Sequence, residues 1–271
     1  MRGYDLGLFG PESVTWRLHS DPVLWLGGVR ALYLQALHPE AMALLDRHSV
    51  FRADPWGRLV RTAEYVGVIS YGTHADAERA TARVRGLHRR LGLDDPELLR
   101  WVHCCEVDSF LTVSRRAGLR LTDAEADRYV AEQIRAARLA GVPEAGTPRS
   151  VAELVGYFEA IRPRLSGTPA ARSAARYIMY PPMPWKAQLL TPARPVWTLA
   201  ATVSFALLPP WARRMYRLPG LPSTDLAASA TVRGLRSALY LLPPRLREGP
   251  HYRDAKARLA ATPVRRLEAM P

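Results

Sequence analysis

Residues 95–114, DPELLRWVHCCEVDSFLTVS, decide the fold class of this chain. The stretch opens with Asp95, a residue type that caps helices, and Pro96, which suits the first helical turn. Large apolar side chains such as Leu99 and Phe110 then recur at helical spacing, without the strict alternation that a half-buried strand needs. The pattern predicts a helix over most of this stretch.

Helical periodicity also runs through most of the remaining sequence, and strict alternation is almost absent. The sequence therefore predicts an all-α fold. Two capping boxes, Thr122 with Glu125 and Ser150 with Glu153, each predict the start of a helix of about 15 residues. Further helices are predicted over residues 21–39, 54–72, 76–91, 192–208 and 223–241.

The chain has 271 residues, of which 48% are hydrophobic and 23% are charged. This composition supports a sizeable core and excludes disordered, collagen-like and disulfide-stapled proteins. The length would allow two domains, but helical folds of this size often form one body. We predict a single all-α domain over residues 1–271, with the proline-rich stretch at 180–186 as the candidate boundary of any subdivision.

Thirty-eight Lys and Arg against 25 Asp and Glu give a formal charge of +13. Such a charge admits nucleic acid, an anionic membrane or an acidic ligand as a partner. The excess is nearly all arginine and is scattered along the predicted helices, with no recognisable helix-turn-helix and no element that interleaves basic and aromatic residues. We therefore predict no nucleic-acid partner.

Cys104 and Cys105 are the only cysteines. Neighbouring side chains on a helix diverge by about 100°, so we expect no disulfide within the chain. A zinc site built from two cysteine pairs is excluded as well. The first residues lack a basic region followed by a long apolar run, and we therefore expect a cytoplasmic protein.

The longest apolar run, residues 196–208, is short of the roughly 20 residues that span a bilayer. Trp211 and the pair Arg213 and Arg214 follow it. One interpretation is a buried core helix. The other is a peripheral contact with a membrane surface, aided by the aromatic and basic residues beyond the run.

His88 is the first candidate for chemistry. It lies between Val84 and Leu91 on the apolar stripe of its predicted helix, with arginines on the flanks. A neutral imidazole on such a face must find a hydrogen-bond partner or coordinate something. It is either a satisfied core histidine or the ligand of a metal or haem, since haem needs an axial base that projects from a helix.

Two other groups could carry chemistry. His103 and Glu106, three residues apart on one helix face, could line a pocket or provide two metal ligands, although the helical di-iron pattern runs Glu-x-x-His in two copies. Arg58 and Thr62 face the same way with Arg61 beside them. They could hold an anion or a bound oxygen species, or form an ordinary arginine surface over a packed threonine.

The chain contains no Gly-rich phosphate loop, no G-x-S-x-G elbow, no H-E-x-x-H and no covalent haem-attachment motif. Hydrolase and nucleotide-binding functions therefore lose most of their support. A polar group at residues 35–48, which includes His38, Glu40 and Asp46, is mostly explained by turn and cap chemistry.

Five short motifs occur in a recognisable order: LQALHP at 34–39, DRHS at 46–49, DPWGRLVRT at 54–62, VRGLH at 84–88 and LLRWVH at 98–103. Together they resemble the bacterial branch of the rubber-oxygenase family. That family includes the latex-clearing proteins and the fungal mpaB-type enzymes that cleave a prenyl side chain. The resemblance covers roughly residues 12–250.

The resemblance implies a globin-like helical core, with additional C-terminal helices, around non-covalent haem b. It also implies that dioxygen cleaves carbon-carbon double bonds in isoprenoid chains. His88 matches the proximal haem ligand in the family's V-R-x-x-H motif. Arg58 and Thr62 match the Arg and Thr that line the haem site in its R-x-x-x-T motif.

The chain departs from the family pattern at Arg61, where rubber-cleaving members have a lysine that can bind iron on the distal side. An arginine stays protonated at ordinary pH and is a poor iron ligand, so we expect no such closure. Glu40 and Glu64 are candidates for the family's catalytic glutamate. Secreted members carry an export signal that this sequence lacks, so polymeric rubber is not the expected substrate.

The sequence therefore predicts a haem b-dependent oxygenase that uses dioxygen on a small hydrophobic substrate, with isoprenoids as candidates. His88 is the predicted iron ligand. Arg58, Arg61 and Thr62 are the predicted haem contacts, and Arg58 and Thr62 are also the predicted catalytic residues.

Two alternatives stay open at this point. One is a helical binding or membrane-associated protein that retains the fold without redox activity. The other is a non-haem metal enzyme that uses His88, His103 and Glu106.

Overall fold

The computed structural model describes residues 5–47 and 54–261, and within them the stretch 95–114 belongs to the central helix of the fold. The described part contains no strand, so the all-α prediction is confirmed. Its helices, in chain order, are α1 (Val14–His19), α2 (Leu24–Gln35), α3 (Pro39–Arg47), α4 (Pro55–Tyr71), α5 (His74–Leu91), α6 (Pro96–Arg116), α7 (Asp123–Ala140), α8 (Val151–Ile161), a 3-10 turn (Arg162–Arg164), α9 (Pro169–Met179), α10 (Trp185–Leu190), α11 (Ala193–Ala206), α12 (Pro210–Met215), α13 (Pro222–Tyr240), α14 (Pro244–Arg247) and α15 (Pro250–Ala260).

Helix α6 begins as its sequence predicts. The carboxylate of Asp95 accepts the backbone N–H groups of Glu97 and Leu98, both at 2.9 Å, and Pro96 occupies the first turn. The helix is then buried along most of its length because apolar residues occupy several of its faces. Such a helix needs neighbours on several sides, and this makes it the centre of the molecule.

The closest neighbour of α6 is α2, and Gly27 allows the two helices to approach. A Cβ atom at Gly27 would lie 2.8 Å from a ring carbon of Phe110 and 3.2 Å from the Phe110 Cα. Any other residue there would push the helices apart. Trp101 is fully buried beside this contact, and its indole N–H donates to the carbonyl of Gln35 at 3.2 Å.

The other helices pack around this central pair. Helices α9 and α11 lie on α2, and α13 lies on α11 and α6. Helix α7 packs against α1, α5, α6 and α8, while α4 packs against α5, α1 and α15. The α4–α5 pair is therefore held mainly by α1, α7 and α15 and has no extensive contact with α6 in the described residues.

One predicted helix start was wrong because a tertiary contact engages the capping residue, and two helices were not predicted. The helix expected from Asp21 begins at Leu24. The buried carboxylate of Asp21 instead accepts the N–H of Val23 at 3.2 Å and pairs with Arg236 at 2.6 Å. Helix α1, which precedes it, was not predicted, and neither was α9 although Thr168 caps α9 through its side chain.

The capping boxes had mixed outcomes. The box of Thr122 with Glu125 is confirmed at the start of α7. At α8 the hydroxyl of Ser150 accepts the N–H of Glu153, but the Glu153 carboxylate accepts the N–H of Arg149 rather than that of Ser150. Helix α8 also ends after 11 residues, earlier than expected.

Helix α5 shows a further correction at its start. It begins at His74 rather than at Asp76, because Thr73 and Asp76 form a reciprocal capping box that the sequence analysis did not use. Both side chains satisfy backbone donors of the first turn. Asp76 therefore lies inside the first turn and does not precede it.

The apolar run at 196–208 is divided between core and surface. Phe205, Leu207 and Leu208 are buried, whereas Val196 and Leu199 are exposed. No helix in the described ranges is both long enough and apolar enough to cross a bilayer. Cys104 and Cys105 are buried free thiols, as expected.

The single-domain organisation stays a prediction. Residues 180–184 form the loop that joins α9 to α10, at the predicted connector. The rings of Tyr33 and Phe205, from the two sides of this connector, pack edge to face with centroids 5.1 Å apart. The globin-like character that the resemblance implies likewise stays a prediction.

Candidate functional site

Helices α4 and α5 form an antiparallel hairpin that carries most of the predicted site residues. Gly72 and Thr73 join the two helices, and the hydroxyls of Tyr65 and Thr81 lie 3.5 Å apart about two turns from this closed end. Arg58 is seven residues before Tyr65, and His88 is seven residues after Thr81. Seven residues are two helical turns, so Arg58 and His88 lie together at the open end, about 10 Å from the Tyr65–Thr81 contact.

His88 is partly buried on the inner face of α5. Burial lowers the pKa of its imidazole, the charge of Arg58 lowers it further, and Asp94 acts in the opposite direction. The imidazole has no hydrogen-bond partner in the part of the chain that the structure describes. Within the described residues His88 is therefore a base without a hydrogen-bond partner, and its lowered pKa favours the neutral form at neutral pH.

The apolar stripe predicted around His88 is less buried than expected. Helix α5 buries Ala77 and Thr81 in its first half, whereas Val84 and His88 stay partly exposed and Leu87 is 45% exposed. The inner face of α5 thus leaves the packed core as it approaches its C-terminal end. His88 borders open space, and it is not a satisfied core histidine.

The three polar residues predicted near His88 have different environments. Arg58 is partly buried, and its charge acts on the His88 imidazole. Arg61 is exposed and pairs with Asp54 at 3.1 Å. Thr62 is also exposed, and its hydroxyl donates to the backbone carbonyl of Arg58 at 3.0 Å. The fold therefore brings Arg58 to His88, whereas Arg61 and Thr62 have other partners.

Helix α6 carries two further predicted candidates, His103 and Glu106. Both side chains are partly exposed in the middle of the central helix, while Cys104 and Cys105 beside them are buried. Glu106 acts electrostatically on Tyr65, which places it near the middle of the α4–α5 hairpin. This face of α6 is therefore turned towards the hairpin, although α6 and the α4–α5 pair have no extensive contact in the described residues.

We call the region between the hairpin and this face of α6 the hollow and define it by five residues: Arg58, Tyr65, His88, His103 and Glu106. Burial raises the pKa of Glu106 to about 7 and lowers the pKa of His103 to about 4. Neither side chain has a hydrogen-bond partner among the described residues. At neutral pH the deep part of the hollow thus contains a neutral imidazole and a carboxyl group that can hold or release a proton.

His19 extends this polar region towards α7. Its Nδ1 lies 2.6 Å from the hydroxyl of Ser70, and its Nε2 lies 3.1 Å from the hydroxyl of Tyr129. Burial lowers the pKa of His19 to about 3, so the ring is neutral and orders its neighbours by hydrogen bonding. His19 and Tyr65 were not among the predicted site residues. Tyr65 could have been predicted, because it lies two turns from Arg58 on one helix face.

The candidates for a catalytic glutamate lie elsewhere. Glu40 is exposed at the start of α3, 3.6 Å from Arg164, and Glu64 is exposed on α4. The side chains of Asp46 and Arg47, and all of residues 48–53, lie outside the described part of the chain. Glu106 is thus the carboxyl group that the described residues bring to the hollow.

The described residues do not bring His88, His103 and Glu106 together as a metal site. Within residues 5–47 and 54–261, no three His, Cys, Asp or Glu side chains are grouped closely enough to hold an ion. The non-haem metal alternative needs such a group and is therefore not supported.

Glu106→Gln should change how stability depends on pH. The wild-type carboxyl has a pKa near 4.5 when unfolded and about 7 when folded, so between these values the unfolded chain loses the proton and the folded chain keeps it. The wild type therefore loses stability as pH rises through this window. The glutamine variant should match it near pH 4 and exceed it by about 2–3 kcal/mol near pH 8.

Urea unfolding of both proteins at these two pH values measures the difference. Glu97→Gln, which changes an exposed carboxyl on the same helix, is the control and should shift stability by at most about 1 kcal/mol. An advantage of the Glu106→Gln variant that is equal at both pH values would contradict the assignment.

Comparison with known proteins agrees with the resemblance seen in the sequence. A family model described as "ER-bound oxygenase mpaB/B'/Rubber oxygenase, catalytic domain" matches residues 16–240. The match begins within α1, ends at the last residue of α13 and contains the whole hollow. No curated protein and no solved structure matches the chain. The chain therefore belongs to the mpaB and rubber oxygenase catalytic-domain family.

Proposed function

We propose that the chain is a haem b-dependent oxygenase that uses dioxygen to oxidise a small hydrophobic substrate, with isoprenoids as the first candidates. The observation that carries this proposal is His88. Its imidazole is neutral, partly buried and unpartnered in the described residues, and it stands beside Arg58 within an oxygenase catalytic domain.

The residues at the open end of the hollow fit a haem. A neutral imidazole that projects from a helix is a common axial donor to haem iron, and a donor without a protein partner is free for that bond. Val84 and Leu91 offer apolar contact beside it. His88 would hold the iron, and Arg58 would balance negative charge on the group. Arg61 and Thr62 would contact the haem only after Arg61 leaves Asp54 and Thr62 leaves the carbonyl of Arg58.

Bound haem would supply the capture and activation of dioxygen. The chain itself would supply position, charge and protons. The guanidinium of Arg58 would stabilise negative charge as it develops on oxygen. The carboxyl of Glu106, with a pKa of about 7, would hold or accept a proton deeper in the hollow. The apolar side chains of Val84 and Leu91 would exclude water from a hydrophobic substrate.

Haem titration of the purified chain tests this proposal. We expect an intense Soret band that saturates at one haem per chain, because the described residues contain one such imidazole beside Arg58. Oxygen uptake by the loaded protein, measured with squalene as an isoprenoid probe and without it, then tests the oxygenase activity. A chain that shows no saturable Soret band under these conditions would refute the haem proposal.

An exposed apolar surface favours a second candidate function, a peripheral membrane protein that retains the fold without redox activity. On α10, Trp185 is 65% exposed, and Leu189 and Leu190 are each 75% exposed. Lys186 and Arg194 lie in the same segment and would favour anionic lipid. Flotation with anionic and zwitterionic vesicles, run beside the haem titration, separates the two. Salt-sensitive lipid binding by a colourless protein would favour the second.

A further inference from the structure

A pocket lies on the side of α6 that faces away from the hollow. Glu106 lines the hollow and Asp108 lines the pocket, and two residues on a helix point about 200° apart. The pocket has a volume of about 530 Å³ and is formed by α2, α6, α8, the 3-10 turn, α12 and α13. This volume is in the range of small-molecule sites.

Positive charge exceeds negative charge in the pocket wall. Arg30, Arg116 and Arg162 line it, against the carboxylates of Asp108 and Asp225. Arg30 pairs with Asp108 at 2.7 Å, and its side chain is 3% exposed. One carboxylate is therefore already used by the most deeply buried arginine of the wall.

The second carboxylate is shared between two arginines. Asp225 accepts two hydrogen bonds from Arg213, at 2.9 and 3.0 Å, and pairs with Arg116 at 3.3 Å. Burial lowers the pKa of Arg116, and the nearby charges of Arg30 and Arg213 lower it further against the opposing effect of Asp225. The guanidinium groups are thus close enough to repel one another.

Arg162 has no carboxylate partner among the described residues. Its guanidinium lies over the ring of Trp211, 5.3 Å from the centroid, and its Nε is buried without a hydrogen-bond acceptor. A buried donor without an acceptor is costly, and so is an excess of positive charge in a partly buried wall. The Nε atom itself is enclosed in the wall, but an anion in the pocket would offset the excess of positive charge.

The remainder of the wall is apolar. Phe158 and Trp211 form part of the interior, and Val155 and Leu226 stand at the rim with exposed fractions of 52% and 74%. A simple inorganic anion would leave these side chains without a partner. An apolar tail attached to an anionic head group would cover them.

We propose that this arginine pocket, defined by Arg30, Arg116, Arg162, Trp211 and Leu226, binds a small amphipathic anion. Its carboxylate or phosphate head group lies against Arg162, and its apolar tail lies along Trp211 and Leu226. The assignment is independent of the oxygenase proposal because it concerns the opposite side of α6.

Calorimetric titration of the full chain with defined probes tests the assignment. Decanoate and decyl phosphate, kept below their micelle concentrations, carry the two head groups on one tail. Decanol carries the tail alone, and inorganic phosphate carries the head group alone. We expect at least one of the two amphiphiles to bind once per chain, at least about tenfold tighter than either fragment. The stronger amphiphile identifies the head group. Equal binding of decanol would overturn the proposal.

Three variants locate the binding. Arg162→Gln removes the cation that has no carboxylate partner among the described residues. Leu226→Glu adds a negative charge to an exposed rim position. Each substitution should raise the dissociation constant of the amphiphile by about tenfold. Arg164→Gln is the matched control, because Arg164 is an exposed arginine of the same turn that pairs with Glu97 outside the pocket. Equal losses in Arg162→Gln and Arg164→Gln would overturn the proposal.

The hollow is the competing location for an apolar probe. Binding that is insensitive to Arg162→Gln but changed by His88→Ala would place the probe there and overturn the arginine pocket. Failure of haem to bind would not affect the result, so the outcomes of the two proposals are distinguishable.

Discussion

His88→Ala should abolish the normal Soret band of the haem-loaded chain and weaken haem binding by at least about a hundredfold. Among the described residues, His88 provides the base at the open end of the hollow. Its imidazole has a lowered pKa and no hydrogen-bond partner there. Alanine removes the donor but leaves the apolar surroundings in place. Haem titration followed by absorption spectroscopy measures the loss directly.

A matched control and a rescue make this prediction specific. His74→Ala changes an exposed histidine at the first position of the same helix and should leave the spectrum unchanged. Free imidazole should restore a Soret band to the His88→Ala protein, because it fits the space that the side chain vacates. A His88→Ala protein that keeps the normal band at unchanged stoichiometry would remove His88 as the ligand.

Arg213→Ala should lower the free energy of unfolding by about 2–4 kcal/mol, since it removes a buried guanidinium from a partly buried ion pair and from two backbone carbonyls. The Arg213 side chain is 2% exposed and pairs with Asp225 at 2.9 Å. It also donates to the carbonyls of Ala206 and Leu208, at 2.6 and 3.0 Å. Removing it leaves a carboxylate and two carbonyls short of donors where α11, α12 and α13 meet.

Urea unfolding measures this loss, and the neighbouring residue provides the control. Arg214 is exposed, so Arg214→Ala should change stability by at most about 0.5 kcal/mol. Equal effects of the two substitutions would show that the Arg213 network contributes nothing beyond surface charge. The comparison also tests the Arg213–Asp225 ion pair beside the arginine pocket and leaves Arg162 unchanged.

Local signals predicted the helices well where the capping side chain had no competing partner. Asp95 and Thr122 cap α6 and α7 as their sequences indicate. Asp21 looked equally suitable, but its carboxylate pairs with Arg236, which is 215 residues away in the sequence. A helix cap is a contact within one turn and can be read locally, whereas a distant cation cannot.

The site was predicted in part for a similar reason. Helical spacing placed His88 on one face of α5 and Arg58 with Thr62 on one face of α4, and the order of five motifs predicted the family that the comparison confirms. Spacing could not show that Arg61 pairs with Asp54, nor that Thr62 donates to a backbone carbonyl. An exposed polar side chain can reach several hydrogen-bond partners, and helical periodicity does not show which of them it contacts.

The position of Glu106 on its helix could be predicted from the sequence, but its pKa could not. The pattern placed it with His103 on one face of a helix and left a pocket lining and a metal site open. The pKa of about 7 arises from burial, which depends on how α4 and α6 approach. Neither the carboxyl group nor its neighbours in the chain contain that information.

The all-α class, the capped starts of α4, α6, α7 and α8 and the face that bears His88 could be read from the amino-acid order, because they depend on contacts within a few turns, and the order of the motifs indicated the family. The hollow and the arginine pocket could not. Both are spaces between helices that are far apart in the chain, and their chemistry depends on which charged groups packing brings together or leaves without a partner.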